Sequence, residues 1–422
     1  MKELIFLHIG NCGTQIGTDL WQLFADEHGL QSNNNNTNSL LENSNIHNDP
    51  QINNLSCLYD ESIRVENVYH PRCLFFDSDP QQLQSSLHND HQLHVQFKEE
   101  NIICGNEDAA SNFGKGYFSM SSCEINYIEE RVRKMLERCD SVESILITQA
   151  LGGGTGSGST SRIVWGLANE FKLPMVGATY STSMLDTYNS VIGLNYIYDR
   201  MKCIFAFDNC SLLDACVECG IENPNFKDMN HLISQSISTL TSQIRFSNEG
   251  SLNNVIDYLG VTAETNIISN SFVNLQDTSS TEFNIKDLFS KKSSLNSVNK
   301  ADGVSIAMNT SMRGDFSHHH TDSLSKVLKT YNNEQAQYQI SRKAPVNIHP
   351  TSFHFKNVMH IANNTSSITS YLNNLALQFD KMYSKRAYVH WIVGEGFEER
   401  GFSEAIDQLY YTTECYSSIK NN

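Results

Sequence analysis

The chain has 422 residues, which suggests about two or three domains around one large core. Only 18% of residues are charged and 39% are apolar, so Asn and Ser fill much of the remainder, and the net charge is −17. A field of that sign disfavours nonspecific nucleic-acid binding and suits basic partners. No run of about eighteen apolar residues is present to span a membrane.

In chain order, Met1 to His8 is too short and too quickly polar for a signal peptide and reads as a buried first strand. Gly10 to Gly13 reads as a tight turn, and Gln15 to His28 as a helix with Ile16, Leu20, Leu23 and Phe24 on one face. Gln31 to Asn54 is Asn-rich and poor in apolar residues, the composition of a disordered surface loop. Cys73 to Phe76 is a second strand, stopping at Asp77-Ser78-Asp79-Pro80. Ile125 to Cys139 has helical spacing, Val142 to Thr148 is a strand, Ser159 to Glu170 a helix and Pro174 to Thr179 another strand. Leu275 to Lys300 is polar and Ser-rich. Val304 to Met308 and Ser352 to Ile361 read as strands of a second, mixed domain, and Ile368 to Met382 and Ser403 to Tyr416 as helices. The repeated strand, loop and helix predict an α/β fold with a parallel sheet.

Between a strand and a helix lies Gly152-Gly153-Gly154-Thr155-Gly156-Ser157-Gly158. Such a loop lets backbone N–H groups approach an anion closely and permits positive φ, while Thr155 and Ser157 add hydroxyl donors. No Lys follows where a P-loop needs one. The loop comes too late in the chain for the dinucleotide fingerprint that opens a Rossmann fold, which argues against an NAD-dependent dehydrogenase. A flexible linker is the remaining structural reading, and its place between an apolar strand and a helix opposes it.

The other reactive residues have plainer readings. Eleven scattered cysteines, without a secretory signal, suggest free thiols in a reducing cytosol. Cys216 and Cys219 lack a second pair at zinc spacing and read as helix core residues. His318-His319-His320 reads as a solvated loop, and the Asn35-Asn36-Thr37 sequon has no role without secretion.

Several strand-end loops line up as one nucleotide site. Asn11, Cys12 and Gln15 open a helix whose amino end faces phosphate. Asp77 and Asp79 can hold the water shell of Mg²⁺. The small-residue loop Gly105 to Asn112 can close over a terminal phosphate. At this point the chain resembles tubulin. The resemblance rests on Met1 to Leu30, on the glycine loop, on Gly105-Asn106-Glu107-Asp108-Ala109-Ala110, and on Phe379 to Gly396. The last two segments are closer to the α than to the β type.

The resemblance implies a fold and a site. The fold is a tubulin-like parallel-sheet nucleotide domain over residues 1–212, a core helix and smaller mixed domain over 213–366, and C-terminal helices over 367–422. The ligands are GTP and Mg²⁺. Asn11, Cys12 and Gln15 lie under the phosphates, and Asp79 is the metal-linked carboxylate. Asp108, Ala109 and Ser111 approach the terminal phosphate, and Gly153, Gly154, Thr155 and Gly156 wrap the phosphates. Asp186 contacts ribose, Asn209 and Asn230 read guanine, and Phe226 stacks on the base. Amides both donate and accept, which suits the guanine edge, although Asn is also common in caps and turns.

The function so implied is that of a GTP-binding α-like tubulin of the cytoplasmic microtubule cytoskeleton, stacked head to tail on a β-type or other tubulin-family partner. The alternative is a tubulin-fold cap or regulator. The departures concern both. Asn11, Thr14 and Ser111 differ from the usual residues, and the loop Ser181 to Leu185 is about four residues shorter than the family's. Where α-tubulin has an acid acting on the next subunit's nucleotide, this chain has Tyr258, a poor base, beside Asp257. Hydrolysis is therefore not expected, and Asp257 is the remaining candidate acid. The C-terminal residues carry no acidic run, so motor recruitment through such a tail is not expected. No basic, aromatic-rich lateral loop is evident between Phe272 and Phe283.

Overall fold

The computed structural model describes residues 2–32, 41–43, 54–61, 68–88, 97–171, 174–181, 186–246, 250–274, 293–298, 303–314, 336–341 and 357–421. The His318 to His320 cluster, residues 33–40 and 44–53 of the Asn-rich segment with the Asn35 sequon, most of the 275–300 segment and residues 182–185 of the shortened loop lie outside these.

The elements in chain order are β1 (Lys2–Ile9), α1 (Gly10–Glu27), β2 (Leu30–Ser32), β3 (Leu41–Asn43), β4 (Tyr59–Glu61), β5 (Val68–Pro71), β6 (Cys73–Asp77), α2 (Pro80–His88) and β7 (Ile102–Cys104). Then come α3 (Phe113–Phe118), α4 (Ser122–Leu136), β8 (Ser141–Ala150), α5 (Thr160–Glu170), β9 (Met175–Ser181), α6 (Thr187–Ile197), β10 (Cys203–Asp208) and α7 (Asn209–Glu218). The rest are α8 (Phe226–Phe246), α9 (Leu252–Leu259), β11 (Ile267–Asn274), β12 (Ser305–Arg313), β13 (Ala336–Ser341), β14 (Val358–Thr365), α10 (Thr369–Tyr383), α11 (Val389–Gly394) and α12 (Glu399–Asn421).

Ten strands form one sheet in the order β13-β12-β14-β11-β10-β9-β8-β1-β6-β7. From β7 across to β11 every pairing is parallel, and β14 then runs antiparallel to both β11 and β12. The parallel strands are apolar on both faces because helices cover both. Along β1, Leu4 and Phe6 enter the core shared with α1 and α8, and Ile5, Leu7 and Ile9 the core shared with α4, α5, α6, α10 and α12. Each strand and helix assigned from spacing has a counterpart among the described residues, with ends moved by a few residues; residues 352–356 of the strand expected over Ser352 to Ile361 lie outside them.

Two expectations change. The turn predicted at Gly10 to Gly13 is the first turn of α1, which starts directly after β1. The Asn-rich segment is not loop throughout, because Leu30–Ser32 and Leu41–Asn43 pair antiparallel in a four-stranded side sheet with β4 and β5. Backbone pairing needs no apolar side chain, so composition did not reveal it.

One buried ionic cluster ties the two parts of the sheet together. Glu27, at the end of α1, accepts from Arg245 of α8 and Arg313 of β12, each at 2.5 Å, and from Ser238 at 2.8 Å. All three ionised groups are buried. The Arg245 guanidinium also lies over the Phe24 ring, 4.6 Å from its centroid. Burial by itself would raise the Glu27 carboxyl, but the Arg313 and Arg245 charges and these hydrogen bonds hold it down at about 2. Its contribution to stability is full above the ordinary glutamate range and is lost as pH falls toward 2.

Removing Glu27 would take from the buried Arg245 and Arg313 the carboxylate they share. Glu27→Ala is expected to destabilise the fold by about 3–5 kcal/mol in urea titrations at pH 7.

Candidate nucleotide site

The chain leaves β1 for β6 and β7 on one side and returns through β8, β9, β10 and β11 on the other. The connections therefore diverge at the carboxyl ends of β1 and β8, which opens a crevice there. The predicted loops all end at this edge of the sheet.

Close backbone approach shapes the crevice floor. A Cβ on Gly13 would sit 2.3 Å from the Thr148 carbonyl oxygen, and one on Gly17 would enter the His8 ring. Glycines there allow α1 to lie directly on β1 and β8. A buried hydrogen-bond chain sets the register: Trp21 Nε1–H donates to His8 Nε2 at 3.0 Å, and His8 Nδ1–H to Thr148 Oγ1 at 2.7 Å. Thr148 in turn donates to the Gly13 carbonyl at 3.1 Å. Burial pushes the His8 imidazole down to about 3, so it stays neutral, as this chain requires.

The glycine loop differs from expectation in one respect. None of its glycines adopts positive φ. They are needed for proximity: a Cβ on Gly154 would meet the Asn112 amide nitrogen at 2.6 Å, and one on Gly156 the Ala150 carbonyl oxygen at 2.2 Å. A Cβ on Gly153 would meet nothing within 4 Å, so Gly153 is the member that faces open space. The loop continues as one π-helical turn, Thr155–Ser159, before α5. Such turns are frequent at functional sites. Positive φ occurs instead at Ala110 (50°) and Ser111 (51°), in the facing loop.

Two residues not singled out as ligands hold these loops together. Asn189 Nδ2 donates to the Ser111 and Gly152 carbonyls, both at 2.7 Å, and its Oδ1 accepts from Phe113 N–H at 2.9 Å. Ser78 Oγ lies 2.5 Å from Thr155 Oγ1 and accepts from Ala109 N–H at 3.2 Å. Both are small polar residues in unremarkable contexts, and nothing in their spacing marks them.

Asp77, at the end of β6, is buried. Its Oδ1 accepts from Asp79 N–H at 3.2 Å, and its Oδ2 has no partner among the described residues. Burial raises its carboxyl to about 6, and the Asp79 and Asp108 charges add to that. Asp79 is half-buried and accepts from Gln81 N–H at 2.9 Å. Asp108 is exposed. No group of three or more His, Cys, Asp or Glu able to hold a metal occurs among the described residues. A cation here would need ligands beyond these carboxylates.

From the start of α8, Asn230 Nδ2 donates to Gln15 Oε1 at 3.4 Å, and Gln15 Nε2 to Asn11 Oδ1 at 2.8 Å, a line that reaches the amino end of α1. Asn209 begins α7, and its Oδ1 is buried without a partner among the described residues. Asp186 lies against Gly152, whose Cβ would be 2.8 Å from that of Asp186. Phe226 begins α8 and is 64% exposed. Burial pushes the Cys12 thiol up to about 12, so it is no nucleophile at neutral pH. Cys216 is buried in α7 and Cys219 caps that helix; all eleven cysteines are free thiols.

The fit to a nucleotide rests on these orphaned atoms. Asn209 Oδ1 can accept from a base, and Gly153 leaves space beside loop amides for phosphate. Asp77 Oδ2 suits the hydration shell of a divalent cation.

The sequence model of the Tubulin/FtsZ family GTPase domain matches residues 3–217. The chain belongs to the Tubulin/FtsZ family. It is 27% identical to a tubulin alpha chain of Dictyostelium discoideum, over 99% of this chain and 97% of the other. It is 28% identical to a tubulin alpha chain of Encephalitozoon cuniculi, over 100% and 98%. A tubulin alpha-6 chain of Naegleria pringsheimi is 29% identical over 100% and 96%. This is a divergent tubulin, and its GTPase domain makes it a guanine-nucleotide-binding protein of the cytoskeletal class.

The catalytic position raised by the resemblance lies elsewhere. The Leu252 amide at the start of α9 donates to Glu143 near the amino end of β8, at the sheet edge opposite the crevice. Asp257 on α9 is exposed and pairs with Lys202 at 3.5 Å. Tyr258 is half-buried against the core, and burial raises its phenol. Neither serves the crevice of its own chain.

Asp77 yields a pH prediction. Its folded carboxyl is raised, so the ligand-free protein loses stability as pH rises from the ordinary aspartate range through about 6. Asp77→Asn is expected to remove that loss, gaining on the order of 1–2 kcal/mol at pH 7 and little near pH 4, read by urea unfolding. Gly13→Ala is expected to push α1 off β8 and cost about 3 kcal/mol or more, read as a fall in melting temperature.

Proposed function

We propose that the crevice binds GTP with Mg²⁺ and that the chain is an α-like tubulin subunit. It would join microtubules, or a specialised subset of them, by stacking head to tail on a β-type or other tubulin-family partner. The observations that support this reading are that the glycine loop, the α1 amino end and buried Asp77 stand at the carboxyl ends of the adjacent strands β8, β1 and β6, and that Asn209, with its buried Oδ1 unpartnered among the described residues, follows the same end of β10. Similarity to α chains over nearly the whole length supports the subunit role.

In this reading the amides of Gly153, Gly154, Thr155 and Gly156 and of the α1 amino end hold the phosphates, with Ala109 and Ser111 closing over them. Asp77 and Asp79 hold the hydrated Mg²⁺, which neutralises phosphate charge when bound. Asn209 and Asn230 read the guanine edge, Gln15 orients Asn230, Phe226 stacks on the base and Asp186 takes the ribose hydroxyls. No residue is assigned to bond cleavage. The cytoplasm is the proposed location, and among the described residues no helix is long and apolar enough to cross a membrane.

A second reading, a cap or regulator of microtubules, draws on α9. Tyr258, which stands where α-tubulin has an acid, is half-buried against the core and has no carboxylate, while Asp257 beside it is exposed and 3.5 Å from Lys202, so the acid's own position offers none to a neighbour's nucleotide. Such a subunit would stabilise an end.

Natively purified protein, denatured and analysed by ion-exchange chromatography, is expected to release about one guanine nucleotide per chain; an empty site in folded protein overturns the reading. Asn209→Ala is expected to lower the preference for guanine over adenine nucleotides about tenfold or more in competition binding. Co-sedimentation with microtubules, followed by microscopy, separates the two roles: label along the lattice supports a subunit, and label at ends only supports a cap.

A further inference from the structure

Ser78 is the point where three separate loops of the crevice meet. It follows Asp77 at the end of β6. Its Oγ accepts from the Ala109 amide at 3.2 Å and lies 2.5 Å from Thr155 Oγ1 in the glycine loop. Both hydroxyls are buried, Ser78 being 5% and Thr155 8% exposed. The described residues provide no other partner for either hydroxyl.

Counting protons sets the direction of this chain. A serine or threonine hydroxyl has one hydrogen to donate and two lone pairs. Ser78 Oγ already accepts from Ala109. If Ser78 donates to Thr155 Oγ1, the Thr155 proton is left to point out of the chain, toward an acceptor in the crevice. If Thr155 donates to Ser78 instead, Ser78 accepts twice and its own proton is stranded in a buried position. An anionic oxygen next to Thr155 therefore favours the first order, in which the bonds reinforce one another. Without that oxygen one buried proton is stranded in either order, and the hold on Ala109 weakens.

We propose that Ser78 is a positioning residue that couples the 105–112 loop to phosphate at the glycine loop, through the relay Ala109 N–H, Ser78 O–H, Thr155 O–H. The inference rests on the nucleotide reading above and adds a specific consequence. Phosphate binding orders the facing loop, which carries Ala110 and Ser111 in left-handed conformations. Those conformations are unfavourable for non-glycine residues and need such external support. The base end of the site does not take part. Asn209, Asn230 and Gln15 share no hydrogen bond with Ser78, Thr155 or Ala109.

The test compares wild-type protein with Ser78→Ala and Ser78→Thr by equilibrium competition with GTP, GDP and guanosine, with melting temperatures of the ligand-free proteins recorded alongside. Ser78→Ala is expected to bind GTP and GDP about tenfold more weakly, to bind guanosine as wild type does, and to make the 105–112 amides exchange hydrogen faster in the presence of GTP. Ser78→Thr, which keeps the hydroxyl, is expected to restore both. Equal loss for all three ligands would make Ser78 a packing residue and overturn the relay. So would unchanged binding by a folded Ser78→Ala protein. If wild-type protein binds none of the three, the nucleotide reading itself fails, an outcome distinct from either.

Discussion

The contact of α1 with the β1–β8 floor is the constraint on which the rest of the site depends. Gly13 and Gly17 have no Cβ, so the helix backbone rests on Thr148 and on the His8 ring. The neutral His8, between Trp21 and Thr148, then sets how far the helix can slide. That position brings the amino end of α1 beside the glycine loop, where Gly10 adopts φ +76° and a Cβ on it would lie 3.1 Å from the Gly156 amide nitrogen. A larger residue at any of these points separates α1 from the sheet or from the glycine loop. The geometry of an anion cradle is thus decided by backbone proximity and little by side-chain chemistry.

The electrostatics follow from the same arrangement. The net charge is −17, and Asp77, Asp79 and Asp108 at the crevice are among the acids that make it up. Lys115 of α3, which follows the 105–112 loop, pairs with Glu107 at 3.5 Å. Attraction for an anion must then come from oriented amides and hydroxyls and from a bound divalent cation. Buried Asp77 is costly as a carboxylate without such a cation, which links the acid at the strand end to the charge carried by the ligand.

Stability and site are also joined at a distance. The Glu27, Arg245 and Arg313 cluster connects the far end of α1 to α8 and to β12, in the antiparallel part of the sheet. Helix α8 is buried along most of its length although it is rich in Ser and Thr. Several of those hydroxyls bond the carbonyl one turn back, as Ser236 does to Leu232 and Thr239 to Gln235. The same helix carries Asn230 at its start and Arg245 at its end. One helix thus spans from the ionic cluster to the edge of the crevice.

The sequence by itself determined the alternation of apolar strands and amphipathic helices, the glycine loop between β8 and α5, and the strand-end acids, because local periodicity and turn chemistry are written in neighbouring residues. It also carried the family resemblance that the GTPase-domain match then supported. It did not reveal that α1 begins at Gly10, that parts of the Asn-rich segment pair as strands, or that the loop glycines serve proximity and not positive φ. Nor did it mark Ser78, Asn189 or the Glu27 cluster. Those depend on contacts between residues as far apart as Glu27 and Arg313, and on which polar atoms become buried. Only the tertiary structure decides those contacts, because burial and distance belong to the packed chain and to no local stretch of it.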